Sequence, residues 1–199
     1  MASHRPLAVP AVDAAPRIGM ALADFLQVRP ERFELIDGEI VEKMANVAGH
    51  DEIRDILLYA IRDANGGFIT SERTFSLPDA QDRNWVKGSR IPDLLFFRQD
   101  RLDAYKADNP DWRQRPFALL PDLVIEIKSP TDRNRDVLDK VQRYLNDGVP
   151  HVWVIDMERQ RVYQFQADGD LSTILTDKAT LDGGDLISGF SIPVMALLV

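Results

Sequence analysis

Along residues 49–64 the apolar positions Ile53, Ile56, Leu57, Ala60, Ile61 and Ala64 recur with the roughly 3.6-residue period of one helix face, and Gly66 and Gly67 end the pattern. This predicts an amphipathic helix, with His50 extending its inward stripe at the first turn. A second helix is predicted over 131–146, where Val137, Leu138, Val141, Tyr144 and Leu145 form the apolar side and Gly148 lies beyond the end. Residues 20–28 have helix-forming composition, closed by Pro30. Elsewhere the pattern is strand-like. Residues 32–36 and 39–44 flank Asp37-Gly38, a strong hairpin signal. Pairing outward from that turn sets Ile36 against Glu39 and Glu34 against Val41, so Glu34 shares a face with apolar neighbours and is expected to be partly buried. Further strands are predicted over 68–77, 91–97, 122–128, 151–155, 161–166 and 171–176, with polar loops over 78–90 and 98–116. Strands interspersed with two main helices, without internal repeats, predict an α/β (α+β) domain with a mixed sheet.

Composition narrows the chemistry. The 199 residues contain no cysteine, which removes disulfide scaffolds, thiolate zinc sites, iron–sulfur clusters and cysteine nucleophiles. Any metal must be held by oxygen or imidazole. Lys and Arg number 24 against 32 Asp and Glu, a net charge of −8 shared equally by the two halves of the chain. That balance argues against a general non-specific nucleic-acid binder. No apolar run approaches the roughly 20 residues needed to span a bilayer, and residues 1–19, rich in Ala and Pro, lack the apolar core of a signal peptide. The expectation is a disordered leader over 1–19, a single domain over 20–199, a cytoplasmic location and no membrane partner.

Within Val124-Ile125-Glu126-Ile127-Lys128 the two-residue period of a strand places Glu126 and Lys128 on one face and the isoleucines on the other. Any half-exposed strand alternates in this way, so a functional reading needs a second carboxylate. Asp93 supplies one at the head of an apolar strand, where an ionised group is costly to bury alone. Two adjacent strands starting at the same level would bring Asp93 and Glu126 together. Paired carboxylates suit a hard divalent cation such as Mg²⁺, with Mn²⁺ as a substitute, and Lys128 would lie beside it. On the second helix, Arg133, Arg135, Lys140 and Arg143 alternate with Asp132, Asp136 and Asp139, which reads either as a solvated face with Asp136–Lys140 and Asp139–Arg143 pairs or as phosphate attraction. Arg113 and Arg115 flank Trp112 in the central polar segment and offer a further nucleic-acid contact.

Phe33-Glu34-Leu35-Ile36-Asp37-Gly38-Glu39, Pro92-Asp93-Leu94, Pro121-Asp122-Leu123-Val124-Ile125-Glu126, Ser129-Pro130-Thr131, Lys140 and Gly148-Val149-Pro150-His151-Val152-Trp153-Val154-Ile155-Asp156 follow one another in this order. The ordered set resembles the putative restriction endonuclease family, once catalogued as a domain of unknown function, within the PD-(D/E)XK nuclease superfamily. The resemblance implies a restriction-endonuclease-like mixed sheet flanked by helices and Mg²⁺-dependent hydrolysis of DNA phosphodiester bonds. It implies that Asp93 and Glu126 are metal ligands, with the backbone carbonyl of Ile127 a third and Glu34 an amino-terminal acidic ligand. Many members carry the site lysine on the following helix, so both Lys128 and Lys140 stand as candidates for the catalytic amine. The family pattern also places a histidine near His50, a supporting residue behind the ligands. DNA engagement is expected to be weak and metal-dependent, and a homodimer would match the two-fold symmetry of a duplex. The alternative is a binding or regulatory module that keeps the fold without turnover.

Overall fold

The computed structural model describes residues 17–28, 32–130, 132–167 and 171–197. A two-residue strand, β1 (Met20–Ala21), runs into a single helical turn, α1 (Leu22–Phe25), where composition alone predicts one longer helix. The hairpin β2 (Phe33–Ile36) and β3 (Glu39–Glu42) follows, with Ile36 opposite Glu39 and Glu34 opposite Val41 as the turn dictates. Asp37 and Gly38 both take positive φ, 52° and 88°, the conformation that a tight two-residue hairpin turn demands and Asp-Gly tolerates. The long amphipathic helix is α2 (Ala48–Asp63), and β4 (Phe68–Ser71) and β5 (Phe75–Asp79) divide the run predicted as one strand. The break falls at Glu72, which adopts a φ of 51°.

The segment read as a polar loop is instead the longest strand, β6 (Asp82–Arg90). It is polar because its inward positions are satisfied by hydrogen bonds rather than by apolar contact: Ser89 Oγ accepts from the Leu35 amide at 2.9 Å, and Arg90 donates to the carbonyls of Leu35 and Ser89. After β7 (Leu94–Phe97) comes α3 (Gln99–Asp108), a helix that buries only Leu102 and so leaves almost no periodic trace in the sequence. Then follow β8 (Leu123–Lys128), α4 (Asn134–Asn146), β9 (His151–Asp156), β10 (Arg161–Gln166), β11 (Leu171–Thr176), β12 (Thr180–Asp182) and β13 (Ser191–Pro193). Thr131, included in the predicted second helix, lies outside the described residues.

Two main sheets organise most of these elements, and β12 and β13 pair as a separate two-stranded ladder. The larger has the order β11-β10-β9-β8-β7-β4, with β8 and β9 parallel and the other neighbours antiparallel, the expected mixed sheet. One face packs on α2 and the carboxyl-terminal segment through Ile53, Leu57, Ile61, Ile125, Ile127 and Trp153. Val194 and Leu197 are buried in this core, so the apolar end of the chain docks on its own body, while residues 198–199 lie outside the described part. The other face packs on α3 and α4 through Leu102, Val124, Val141, Tyr144 and Val152. The smaller sheet, β1-β6-β2-β3 with β5 on β6, encloses only Phe25, Phe33, Leu35 and Val86. Of the leader expected over 1–19, Arg17, Ile18 and Gly19 are held against this sheet: Arg17 pairs with Asp79 and Asp82, and the Trp85 indole donates to the Ile18 carbonyl. Residues 1–16 lie outside the described part. Among the described residues no helix is long and apolar enough to cross a membrane.

Candidate active site

The smaller sheet meets the end of α2, the junction of β7 and β8 and the side of α4 along a polar cleft of about 460 Å³. Glu34, Lys43, His50, Asp93, Glu126 and Lys140 all line it. Glu34 comes from β2, where the hairpin register turns it inward; its carboxylate accepts the Ile91 amide at 2.8 Å. Asp93 stands just ahead of β7, and Glu126 is two residues from the end of β8. These strands are antiparallel, with Leu94 opposite Ile125, so the head of one meets the tail of the other. The proximity anticipated from strands starting at the same level is thus reached by the opposite arrangement. It is closed by the Ile127 amide, which donates to Asp93 Oδ2 at 2.8 Å.

Asp93 is buried and contacts three groups. Lys43 donates to its Oδ1 at 3.0 Å, while His50 Nε2 lies 2.9 Å from Oδ2. Burial alone pushes this carboxyl up, but the His50 hydrogen bond and the Lys43 charge overcome it and hold it well below the usual carboxylate range. Glu126 shows the opposite balance: burial pushes it up, and the Lys140 charge does not fully compensate. It accepts from Lys140 at 3.2 Å and from the Tyr144 hydroxyl at 2.5 Å. The charge of Glu126, aided by those of Asp93 and Glu34, raises Lys140, so that its ammonium is firmly cationic. Burial and the same carboxylates push the Tyr144 phenol well above its ordinary value, fixing it as a donor. Two carboxylic groups in one cleft therefore differ in their readiness to take a proton, a separation that divides acid from base roles in many hydrolytic sites.

Of the two candidate amines, only Lys140 reaches this cleft. It lies four residues before Tyr144 on α4, the spacing that puts both on one helix face, and it turns to Glu126 rather than to the surface partner Asp136. Lys128 shares a strand face with Glu126, as the alternation predicts. Its ammonium nevertheless points away, to Asp156 at 3.4 Å and Glu158 at 3.3 Å, and borders a separate apolar hollow with Val137, Leu138 and Val154. His50 is buried behind Asp93, where the sequence placed a supporting residue. Lys43 went unnoticed in the sequence, although the two-residue period that buries Glu34 opposite Val41 carries on from Val41 to Lys43. Tyr144 was legible only as an apolar helix position.

Apart from the His50 imidazole, whose Nε2 is engaged with Asp93, the metal-capable donors here are oxygens, the chemistry a hard cation prefers. Among the described residues Glu126 accepts two contacts and Glu34 one, which leaves acceptor capacity on both carboxylates. No three His, Asp or Glu side chains among the described residues are gathered into a ready-made cage. The set therefore fits Mg²⁺, which keeps several waters and takes one or two carboxylates, better than a cation that needs a full protein shell. Asp93, Glu126, Glu34 and the Ile127 carbonyl are the groups available to hold it.

A putative nuclease belonging to DUF820 from Anabaena variabilis ATCC 29413 has a crystal structure that superposes with a TM-score of 0.70 at 21% sequence identity, over 90% of this chain and 97% of that one. The shared architecture is that of the fold. No curated protein matches the sequence. The sequence pattern of the Uma2 family, described as putative restriction endonuclease, matches residues 22–195, nearly the whole chain. The protein belongs to the Uma2 family.

Proposed function

We propose that the cleft is the catalytic centre of a Mg²⁺-dependent nuclease that hydrolyses DNA phosphodiester bonds. The observation that carries this reading is the convergence of Glu34, Asp93 and Glu126, from three separate elements, on one cleft with the ammonium of Lys140. Membership of a family described as putative restriction endonuclease supports it. A bound divalent cation would supply Lewis acidity toward the scissile phosphate and a more acidic water.

The chain's own groups divide the remaining work. Asp93, held ionised by Lys43 and His50, offers a fixed negative charge. Glu126 has the raised carboxyl of a group that can exchange a proton near the reacting atoms. Lys140, bonded to Glu126 and 40% exposed at its side chain, is placed to stabilise negative charge developing on a phosphate. A two-fold dimer would present one such cleft to each strand of a duplex.

A second reading is favoured by the two amines already paired with the acids: a binding module without turnover. Calorimetric titration with Mn²⁺, run beside incubation of several DNA forms with Mg²⁺ or Mn²⁺, separates the two. The catalytic reading expects Mn²⁺ binding that is lost in Asp93→Ala and cleavage that is lost in Glu126→Ala. Cleavage that is equal in wild type and Glu126→Ala would place the activity elsewhere, and an absence of both binding and cleavage would favour the module.

A further inference from the structure

A groove of about 550 Å³ is lined by Arg73, Arg113 and Arg115 together with Phe25, Leu26, Trp112 and Phe117, and among the described residues by no acidic side chain. In a chain of net charge −8 that composition stands apart. We propose that this groove binds a single-stranded stretch of nucleic acid, through its phosphates and through stacking of an unpaired base.

The three arginines are not equivalent. Arg115 is tied down by Asp111 at 2.7 Å and by the Arg83 carbonyl at 3.3 Å, so it forms a fixed wall. Arg73 and Arg113 are exposed and have no carboxylate partner among the described residues. Arg113 lies over the Trp112 ring, 4.5 Å from its centre, and Lys106 approaches the same ring at 5.1 Å. Trp112 in turn packs on Phe117 at 6.0 Å with only 20° between the planes. Planar cationic and aromatic groups braced in this way are what an unpaired base stacks on, and free guanidiniums pair with phosphate through two parallel hydrogen bonds. A duplex keeps its bases stacked inside and offers the groove only phosphates, which is why an unpaired strand is the better match. The groove is also close in sequence to the catalytic backbone: Arg73 follows Glu72, whose amide donates to the Asp93 carbonyl at 3.1 Å.

The inference rests on the nuclease reading for what happens to the bound strand, but its test measures binding without turnover. Fluorescence anisotropy of a labelled oligodeoxythymidylate in EDTA is compared with that of a duplex of equal length, using the full chain, and tryptophan emission is followed in parallel. The single strand should bind more tightly and quench the emission. The double variant Arg73→Ala with Arg113→Ala, at two exposed positions, should weaken single-strand binding about tenfold or more. It should also flatten the salt dependence of the logarithm of affinity by about 0.7 per arginine removed. Trp112→Phe, which keeps the packing on Phe117, should remove the quench. Unchanged binding in the double variant, a preference for duplex, or no binding by the wild type would overturn the proposal. The two readings fail separately: a double variant that binds as wild type while Glu126→Ala loses cleavage removes the groove and leaves the cleft. Loss of binding in the double variant, with no cleavage by any protein, keeps the groove and removes the cleft's catalysis.

Discussion

Glu126 and Lys128 are two residues apart on the same face of β8, yet they belong to different environments. Glu126 joins Lys140 and Tyr144 in a polar cleft that also holds Glu34 and Asp93. Lys128 joins Asp156 and Glu158 beside an apolar hollow, with its side chain 4% exposed against 40% for Lys140. Each is an acid–amine pair. What separates them is the neighbour: α4 brings its own amine to Glu126, and β9 brings its own acid to Lys128. The pair in the cleft keeps spare acceptor capacity and an exposed amine. The pair beside the hollow is sealed. An acid and a lysine at the spacing of a catalytic motif can therefore be one functional group and one structural group.

The largest expected effect on this contrast comes from Glu126→Gln, which keeps the shape and the Tyr144 contact but removes the charge. Cleavage measured as kcat/KM should fall about a thousandfold, at the upper end of the loss typical of a single electrostatic contact. A drop of less than about tenfold would break the assignment of the cleft as the catalytic side. Lys128→Met should act on stability instead. It strands the buried Asp156 carboxylate, and urea unfolding should show a loss of about 3 kcal/mol, at the low end for a broken buried pair because Arg159 still contacts Asp156. Its kcat/KM per folded molecule should stay within about threefold of wild type. A loss of Mn²⁺ affinity in this variant would move Lys128 back into the site. Lys140→Ala should show the converse weighting, a fall of about tenfold to a hundredfold in kcat/KM with a smaller stability loss than Lys128→Met, since its amine is the more exposed of the two.

These expectations depend on how the sequence encodes each part. The hairpin, α2, α4 and the central strands were legible because their apolar residues repeat with the period of the element that buries them. The strand β6 and the helix α3 were not, since β6 is held by side-chain and backbone hydrogen bonds at Ser89 and Arg90, and α3 buries little beyond Leu102. The same division holds in the site. Glu34 and Asp93 stand out in the sequence because a carboxylate among apolar neighbours is anomalous, whereas Glu126, on the charged face of its strand, stands out only through its pairing with Asp93. Lys43 reads as an ordinary residue at the end of an exposed strand, and only the packing of the hairpin on Asp93 reveals it. The choice between Lys128 and Lys140 depends on side-chain direction, which alternation along β8 does not encode.

The smallest effect concerns pH. Burial would lower His50, but its hydrogen bond to Asp93 and the charge of that carboxylate prevail, so the imidazole stands above its ordinary value of 6.5. Folding thus favours the protonated ring. Its contribution to stability is complete below about pH 6.5 and is lost as pH rises through the folded value. Asp93 behaves oppositely, with a contribution present above its ordinary value of 3.8 and lost as pH falls toward its lowered folded value. The stability difference between wild type and His50→Asn, measured by urea unfolding, should therefore narrow as pH increases past 6.5. A difference that is flat across that range would show that the imidazole packs behind Asp93 without sharing its charge.

Among the described residues the cluster under the smaller sheet has four buried apolar side chains, Phe25, Phe33, Leu35 and Val86, too few to make an autonomous unit. Besides Phe75 of β5, which enters the core on the α4 side, three polar clasps fasten the sheet to the rest of the protein: Glu34 to the Ile91 amide, Lys43 to Asp93, and the buried Arg90 to Asp147 at the end of α4 at 2.8 Å. Two of those three clasps are themselves members of the cleft. On the proposed reading, seating the hairpin would close the molecule and complete the cleft in one event, since Glu34 and Lys43 arrive with it at a place where β7 and β8 already join Asp93 to Glu126.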